Sequence, residues 1–144
     1  EGGTVTWAPT NITYGHNNRS AQFRLPQNRY CIENRAADMT MNVYLAFAMT
    51  LSAAVEGIKG KIHPGKPTDQ DLYEMSENEF KKLGIKRLPR NLLMAIEALK
   101  KDKLSDDVLG PVMKKSFLAY KNDEWERYHQ SVTDWEVKEY LRLY

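Results

Sequence analysis

Four arginines and one glutamate lie close together in the first quarter of the sequence. They are Arg19, Arg24, Arg29, Glu33 and Arg35, and no lysine precedes residue 59. A guanidinium presents a planar fork of donors that matches the oxygens of a phosphate or a carboxylate. A carboxylate among such groups can hold a divalent cation that bridges phosphate oxygens. The residue types therefore suit a site for phosphoryl transfer.

Arg24, Glu33 and Arg35 reach a common face, with Arg19 just before the first strand, if residues 20–25 and 30–35 pair as an antiparallel hairpin through a turn at Pro26–Arg29. With Leu25 opposite Tyr30, the alternation along a strand separates apolar from polar side chains. The polar face then carries Ser20, Gln22, Arg24, Cys31, Glu33 and Arg35.

Two interpretations of this face are open from spacing alone. In the first, Arg24, Glu33 and Arg35 project into one cavity with Arg19 at its rim, and together they handle a phosphate. In the second, the face is the solvated side of a hairpin, and Glu33 is paired with Arg24 or Arg35.

The rest of the sequence predicts helices. A long helix is expected over Asn42–Lys61, and its apolar residues lie nearly all round it, as in a helix central to a core. Ser76 stands three residues before Glu79, which is the spacing of a capping box. Further helices are expected from Pro89, from Pro111 after Gly110, and from a cap at Thr133 or Asp134. The expected fold class is α+β, with short antiparallel strands at the N-terminal end and a mostly helical C-terminal part.

Composition favours one globular unit inside a cell. The chain has 144 residues, 42% of them hydrophobic, and a net charge of +2. Its lysines alternate with acidic residues, which does not suit nucleic-acid binding. No apolar run is long enough to span a membrane. Cys31 is the single cysteine, so a reducing, cytoplasmic compartment is expected. The sequence begins at Glu1, and we expect it to be a piece of a larger protein.

Four blocks of the sequence resemble the glutamine synthetase family, in the family's order and spacing. They are "NRSAQFRLP" from Asn18, "IENRAADMTMNVYLAFAMTLSAAVEGI" from Ile32, "IKGKIHPGKPTDQDLYEM" from Ile58 and "LPRNLLMAIEAL" from Leu88. The resemblance covers most of the chain, but only the C-terminal portion of a catalytic domain. Residues 1–144 would form that portion, strand-rich over 1–38 and helical over 39–144.

The resemblance implies an ATP-dependent ligase that joins glutamate to ammonia through an acyl phosphate, with Mg²⁺ or Mn²⁺. Arg19 and Arg24 match arginines that hold ATP phosphates and the transferring group. Glu33 matches a ligand of the divalent metal, and Arg35 matches the arginine near the acyl phosphate and glutamate, so Arg24 and Arg35 are the catalytic candidates. Tyr73 matches a position that is adenylylated in some members. A homo-oligomer is also implied.

Departures from the family keep alternatives open. No arginine precedes Arg19, and the loop glutamate expected before the "NRS" block is absent. Cys31 stands where an arginine is common. One alternative is a divergent ligase that uses another amine, a second is a catalytically inactive relative, and a third is a helical interaction module. We expect the isolated 144-residue chain to have no ligase activity.

Overall fold

The computed structural model describes residues 8–141 and divides them into two compact units, one up to Arg90 and one from Asn91 onward. The first unit carries short strands and two helices, and the second is helical. This arrangement confirms the α+β class, with strands at the N-terminal end and helices after them. None of the helices between residues 8 and 141 has the length and apolar content needed to cross a bilayer.

The strands of the first unit are two or three residues long. They are β1 (Asn11–Ile12), β2 (Tyr14–His16), β3 (Phe23–Leu25), β4 (Glu33–Asn34) and β5 (Lys86–Arg87). β1 pairs antiparallel with β5, which falls within the region that the sequence predicted as helical. The second sheet has the order β2-β3-β4, with β2 parallel to β3 and β3 antiparallel to β4. Residues 14–16 therefore form a strand beside the predicted hairpin.

The predicted hairpin exists, but its register differs from the predicted one. Arg24 lies opposite Glu33 and Phe23 opposite Asn34, whereas a pairing of Leu25 with Tyr30 would put Cys31 opposite Arg24. The displacement is two residues, and because side chains alternate with a period of two, each residue keeps its face. The chain between the strands is correspondingly a longer loop than the expected tight turn.

The first helix, α1, spans Val43–Lys59, and its N-cap Asn42 accepts hydrogen bonds from the main chain of the first turn. The position of this helix confirms the prediction. Its expected place at the centre of a core is wrong for the described residues, since α1 has no buried residue. Tyr44 is 83% exposed and Phe47 65% exposed. Within residues 8–141, many of the large apolar side chains of this helix therefore remain exposed.

The small core of the first unit lies instead between the strand region and α2 (Glu77–Leu83). Ala21, Leu72 and Phe80 are buried there. The capping box predicted from Ser76 and Glu79 is present, and α2 ends at a left-handed Gly84. These local signals acted as expected because a cap depends only on residues within one helical turn.

The second unit consists of α3 (Leu92–Lys101), α4 (Lys103–His129) and α5 (Asp134–Tyr140). α3 starts later than predicted, with Asn91 as its N-cap. α4 is continuous in extent but broken in its backbone at Gly110, so a helix restarts at Pro111 as expected. Thr133 is the cap of α5, completed by Glu136 as a capping box.

One buried lysine joins α3 to α4. The Lys114 ammonium donates to the carbonyl oxygen of Asp102 at 2.9 Å and to Asp106 Oδ1 at 2.6 Å. The Lys114 ammonium also lies 3.5 Å from the carbonyl oxygen of Lys100 in the last turn of α3. A cation at a helix C-terminus compensates carbonyls that lack partners within the helix. Lys114 therefore stabilises the corner between the two helices.

Candidate functional site

The centre of the predicted site is an ion pair across β3 and β4. Arg24 Nη1 lies 3.0 Å from Glu33 Oε2, and the two side chains are 16% and 22% exposed. The two residues are directly opposite each other in the ladder, so the register brings them together. The second interpretation of this face, as the solvated side of a hairpin, expected Glu33 to pair with Arg24 or Arg35, and the structure has the pair with Arg24.

Glu33 has a second cationic partner, Arg29, which lies outside the predicted polar face of the hairpin. Arg29 Nη2 donates to Glu33 Oε1, while Arg24 occupies the other carboxylate oxygen. Hydrogen bonds from Arg24, and then from Arg29, lower the pKa of Glu33 from its ordinary value of 4.5. Glu33 is therefore ionised near neutral pH, which is the form that binds a metal ion.

Arg24 is held from two sides. Its Nη1 contacts Glu33, and its Nη2 donates to Asn17 Oδ1, the side-chain oxygen of the residue that follows β2. Its Nε is buried and has no hydrogen-bond partner among the described residues. The remaining hydrogens of the two terminal nitrogens are the donors that Arg24 has left to offer to a ligand.

Arg35 connects the cluster to Arg19. Arg35 Nε donates to the carbonyl oxygen of Arg19 at 2.9 Å. The Arg35 main-chain N–H donates to the main-chain carbonyl oxygen of Gln22 at 2.8 Å. The structure thus brings Arg24 and Glu33 together directly, and it links Arg35 to the main chain of Arg19. We use the name arginine cluster for Arg19, Arg24, Arg29, Glu33 and Arg35.

The segment before the cluster is tied to the loop over residues 63–72. Asn18 Nδ2 donates to the carbonyl oxygens of Thr68 and Gln70, at 2.7 Å and 2.9 Å. Gly15 lies so close to this loop that a Cβ atom would stand 2.3 Å from the Thr68 carbonyl oxygen. A glycine is required where two backbones approach so closely. These contacts fix the base from which the cluster projects.

His16 adds a polar contact at the edge of this base. Its main-chain N–H donates to Asp69 Oδ1 at 2.6 Å, and its Nδ1 lies 3.3 Å from Asp69 Oδ2. These contacts, the main-chain one first, lower the pKa of Asp69. Among the described residues no group of three histidine, cysteine or carboxylate side chains forms a metal site, so Glu33 stands here as a single candidate ligand.

Tyr73, the candidate for modification, lies on the loop before α2. Its ring is partly exposed, and its hydroxyl donates to the carbonyl oxygen of Ala8 at 2.9 Å. Burial is the main cause that raises the pKa of this phenol. The hydroxyl is therefore neutral and hydrogen-bonded near neutral pH.

Comparison with known proteins assigns the family of this chain. The family described as "Glutamine synthetase, catalytic domain" matches residues 4–140. Since this match covers nearly the whole chain, the chain belongs to the glutamine synthetase catalytic-domain family, as the four blocks predicted.

Two curated relatives show the range of named activities among similar proteins. The chain is 43% identical over 140 residues to "Glutamate--methylamine ligase" of Methyloversatilis universalis, covering 97% of this chain and 31% of the relative. It is 39% identical over 139 residues to "Glutamine synthetase" of Methanococcus maripaludis, covering 94% and 31%. Both relatives are named for ligase reactions. The chain spans about a third of the length of these relatives.

A solved structure has the same fold. The chain described as "GmaS/ADP complex-Conformation 1" superimposes with a TM-score of 0.83 at 34% sequence identity, covering 99% of this chain and 33% of that one. The similarity in fold therefore extends over nearly all of this chain and about a third of that longer chain.

Proposed function

We propose that this chain serves as the C-terminal part of an ATP-dependent ligase that joins the side-chain carboxylate of glutamate to an amine. The observation that supports this proposal most directly is the Arg24–Glu33 pair with Arg29, a set of guanidiniums around one ionised carboxylate. Phosphoryl transfer depends mainly on positioning and on neutralising the charge of phosphate oxygens. A cluster of forked cations beside a metal-binding carboxylate meets both needs.

The reaction has two steps. A glutamate carboxylate oxygen attacks the terminal phosphorus of ATP, the bond from that phosphorus to the bridging oxygen breaks, and ADP leaves. The amine nitrogen then attacks the acyl carbon, the carbon–oxygen bond to the phosphoryl group breaks, and phosphate leaves as the nitrogen loses a proton. Both steps move negative charge among phosphate oxygens, which is where arginines stabilise a transition state.

Each residue of the cluster has a place in this proposal. Arg19 and Arg24 bind the ATP phosphates, and Arg24 follows the transferring group. Arg35 binds near the acyl phosphate and the glutamate substrate. The remaining substrate and nucleotide contacts come from parts of the ligase outside this chain.

Glu33 fits a divalent cation as one ligand among several. Its carboxylate is ionised and partly exposed, with a lowered pKa. Mg²⁺ in nucleotide sites commonly takes one or two carboxylates, with substrate phosphates and water completing its shell. A bound Mg²⁺ or Mn²⁺, held in part by Glu33, would neutralise negative charge on the phosphate groups. To bind that cation, Glu33 would exchange at least one of its arginine contacts.

The amine is the finer question within this proposal. Ammonia is the substrate we propose first, on the basis of the family. Methylamine is a second candidate, favoured by the 43% identity to the glutamate–methylamine ligase. A homo-oligomeric assembly and adenylylation of Tyr73 stay predictions from the family resemblance, and a cytoplasmic location stays a prediction from the single cysteine.

A product assay tests the proposal. The full-length protein that carries this chain is incubated with ATP, Mg²⁺, glutamate and either ammonia, methylamine or a larger amine. We expect phosphate release that depends on both glutamate and one small amine, because the acyl phosphate must be intercepted by a nucleophile.

The controls separate the alternatives. The isolated 144-residue chain should release no phosphate, and turnover by it would refute that expectation. No amine-dependent phosphate release from the full-length protein would instead support the inactive relative. Ligation of methylamine but not ammonia would identify the divergent branch.

A further inference from the structure

We infer that Asn17 is a positioning residue that sets the orientation of the Arg24 guanidinium, an inference that rests on the phosphate-binding role proposed for Arg24. Asn17 directly follows β2, between His16 and Asn18, and the sequence analysis assigned it no role. Its main chain and its side chain both contact β3, the strand that carries Arg24.

The backbone of Asn17 is in an uncommon conformation. Its φ is +53°, and Asn17 and Lys61 are the two residues other than glycine with positive φ among the described residues. Asparagine is one of the few side chains that tolerate the left-handed region. The main-chain N–H of Asn17 donates to the Leu25 carbonyl oxygen at 2.8 Å, which fixes this turn against the end of β3.

The side chain of Asn17 completes the support of Arg24. Asn17 Oδ1 accepts a hydrogen bond from Arg24 Nη2, while Glu33 Oε2 accepts one from Nη1 at 3.0 Å. Two acceptors on two different nitrogens fix both the position and the plane of the guanidinium fork. A ligand that binds the remaining hydrogens then meets donors that are already oriented, which lowers the entropic cost of binding.

Asn17 is the neutral member of this pair of acceptors. Glu33 is also the proposed metal ligand, so its contact with Arg24 competes with the cation. The contact from Asn17 is not subject to that competition, because Asn17 is not a proposed ligand of the cation. Asn17 can therefore hold Arg24 in place when Glu33 turns to another partner.

A double-mutant cycle on the full-length protein tests this inference through the dissociation constant of ADP, measured by calorimetry. Asn17→Gly keeps the left-handed backbone but removes the acceptor, and we expect it to weaken ADP binding about tenfold, as for a lost hydrogen bond to a charged group. Arg24→Gln should weaken binding by at least as much. If Asn17 acts through Arg24, adding Asn17→Gly to Arg24→Gln has no further effect.

Two further variants make the result specific. Lys61→Gly changes the other left-handed residue and should leave ADP binding unchanged, which controls for backbone flexibility. Asn17→Asp keeps an acceptor oxygen and should restore binding relative to Asn17→Gly. Thermal unfolding of every variant reports whether the fold is intact.

The outcomes separate this inference from the function on which it rests. Unchanged ADP binding in Asn17→Gly, with weakened binding in Arg24→Gln, overturns the inference and leaves the role of Arg24 standing. Additive effects in the double variant also overturn it, because Asn17 would then act independently. Unchanged binding in Arg24→Gln overturns the phosphate-binding role itself.

Discussion

Glu33 is the residue on which two arginines converge, and its ionisation links the cluster to the pH dependence of stability. Arg24 first and Arg29 second lower its pKa below the ordinary value of 4.5. A carboxyl whose pKa is lower in the folded protein stabilises the fold at pH values above its unfolded pKa. This stabilisation is lost as the pH falls through the folded pKa.

The prediction at this scale follows from the loss of that stabilisation at acid pH. Glu33→Gln should lower the melting temperature near neutral pH, and the difference from the wild type should shrink as the pH falls below 4.5. Circular dichroism melts over a series of pH values measure this difference. Glu74→Gln, at an exposed glutamate, is the matched control and should show no such convergence. A difference for Glu33→Gln that stays constant into the acid range would contradict the pairing.

At the same scale, the site departs from the sequence analysis in two partners. Arg29 contacts Glu33 and Asn17 contacts Arg24, although the predicted polar face of the hairpin included neither residue. Arg29 lies four residues before Glu33, but in a loop this spacing carries no rule such as a helix provides. The contact of Asn17 with Arg24 depends on the parallel pairing of β2 with β3. Short local sequence patterns do not reveal such a pairing.

Among the elements, α4 contains a backbone break that its sequence predicts. Gly110 has φ of +68° and ψ of +167°, a region that is open essentially to glycine alone. Pro111 follows it and suits the first turn of a helix because its missing N–H would have no partner there. The Gly–Pro pair thus ends one helical segment and begins the next.

Substitution at this break is the element-scale prediction. Gly110→Ala should destabilise the protein by about 1–3 kcal/mol, since a side chain there forces a strained backbone. No atom lies within 4 Å of the added Cβ, so the strain is conformational rather than a clash. Urea unfolding followed by circular dichroism measures the change.

Gly57→Ala is the matched control for that experiment. Gly57 lies inside α1, with no atom within 4 Å of an added Cβ. Alanine should stabilise a helix interior by up to about 1 kcal/mol relative to glycine. Equal and small effects at both glycines would show that the break at Gly110 imposes no strain.

For the molecule as a whole, the main feature is how little apolar surface the described residues bury. Apart from Pro9 and Pro26, the buried apolar side chains among residues 8–141 are Ala21, Leu72, Phe80 and Ile96. Large apolar residues of α1 remain exposed, among them Leu51 at 63% and Ile58 at 77%. Contiguous exposed apolar surface of this kind is uncommon in a monomeric protein.

The whole-molecule prediction is that the isolated chain binds a hydrophobic dye. We expect anilinonaphthalene sulfonate fluorescence to rise strongly on mixing with the 144-residue chain, because the apolar surface of α1 is accessible. The double variant Phe47→Ser/Leu51→Ser should reduce this rise, whereas Thr50→Ser on the same helix should not. Fluorescence that stays at the level of the dye alone, or that the double variant leaves unchanged, would contradict the exposed state of α1.

Local sequence signals were sufficient for many of the elements. The capping box at Ser76, the cap at Thr133 and the break before Pro111 all depend on neighbours within a few residues. That Arg24 and Glu33 lie on the same face could also be predicted, because a register shift of two residues leaves each side chain on its original face of the sheet. The family itself was evident from four ordered blocks.

The tertiary structure alone decided what these elements meet. Local patterns set a helix or a cap, but the register of β3 with β4, the insertion of β2 beside them and the exposure of α1 depend on distant segments. The sequence by itself determined the residue types of the arginine cluster and the face on which Arg24 and Glu33 lie. The tertiary structure decided that Glu33 lies directly opposite Arg24 and that Asn17 accepts a hydrogen bond from Arg24. The physical reason is that strand pairing is a long-range choice among registers of similar local energy.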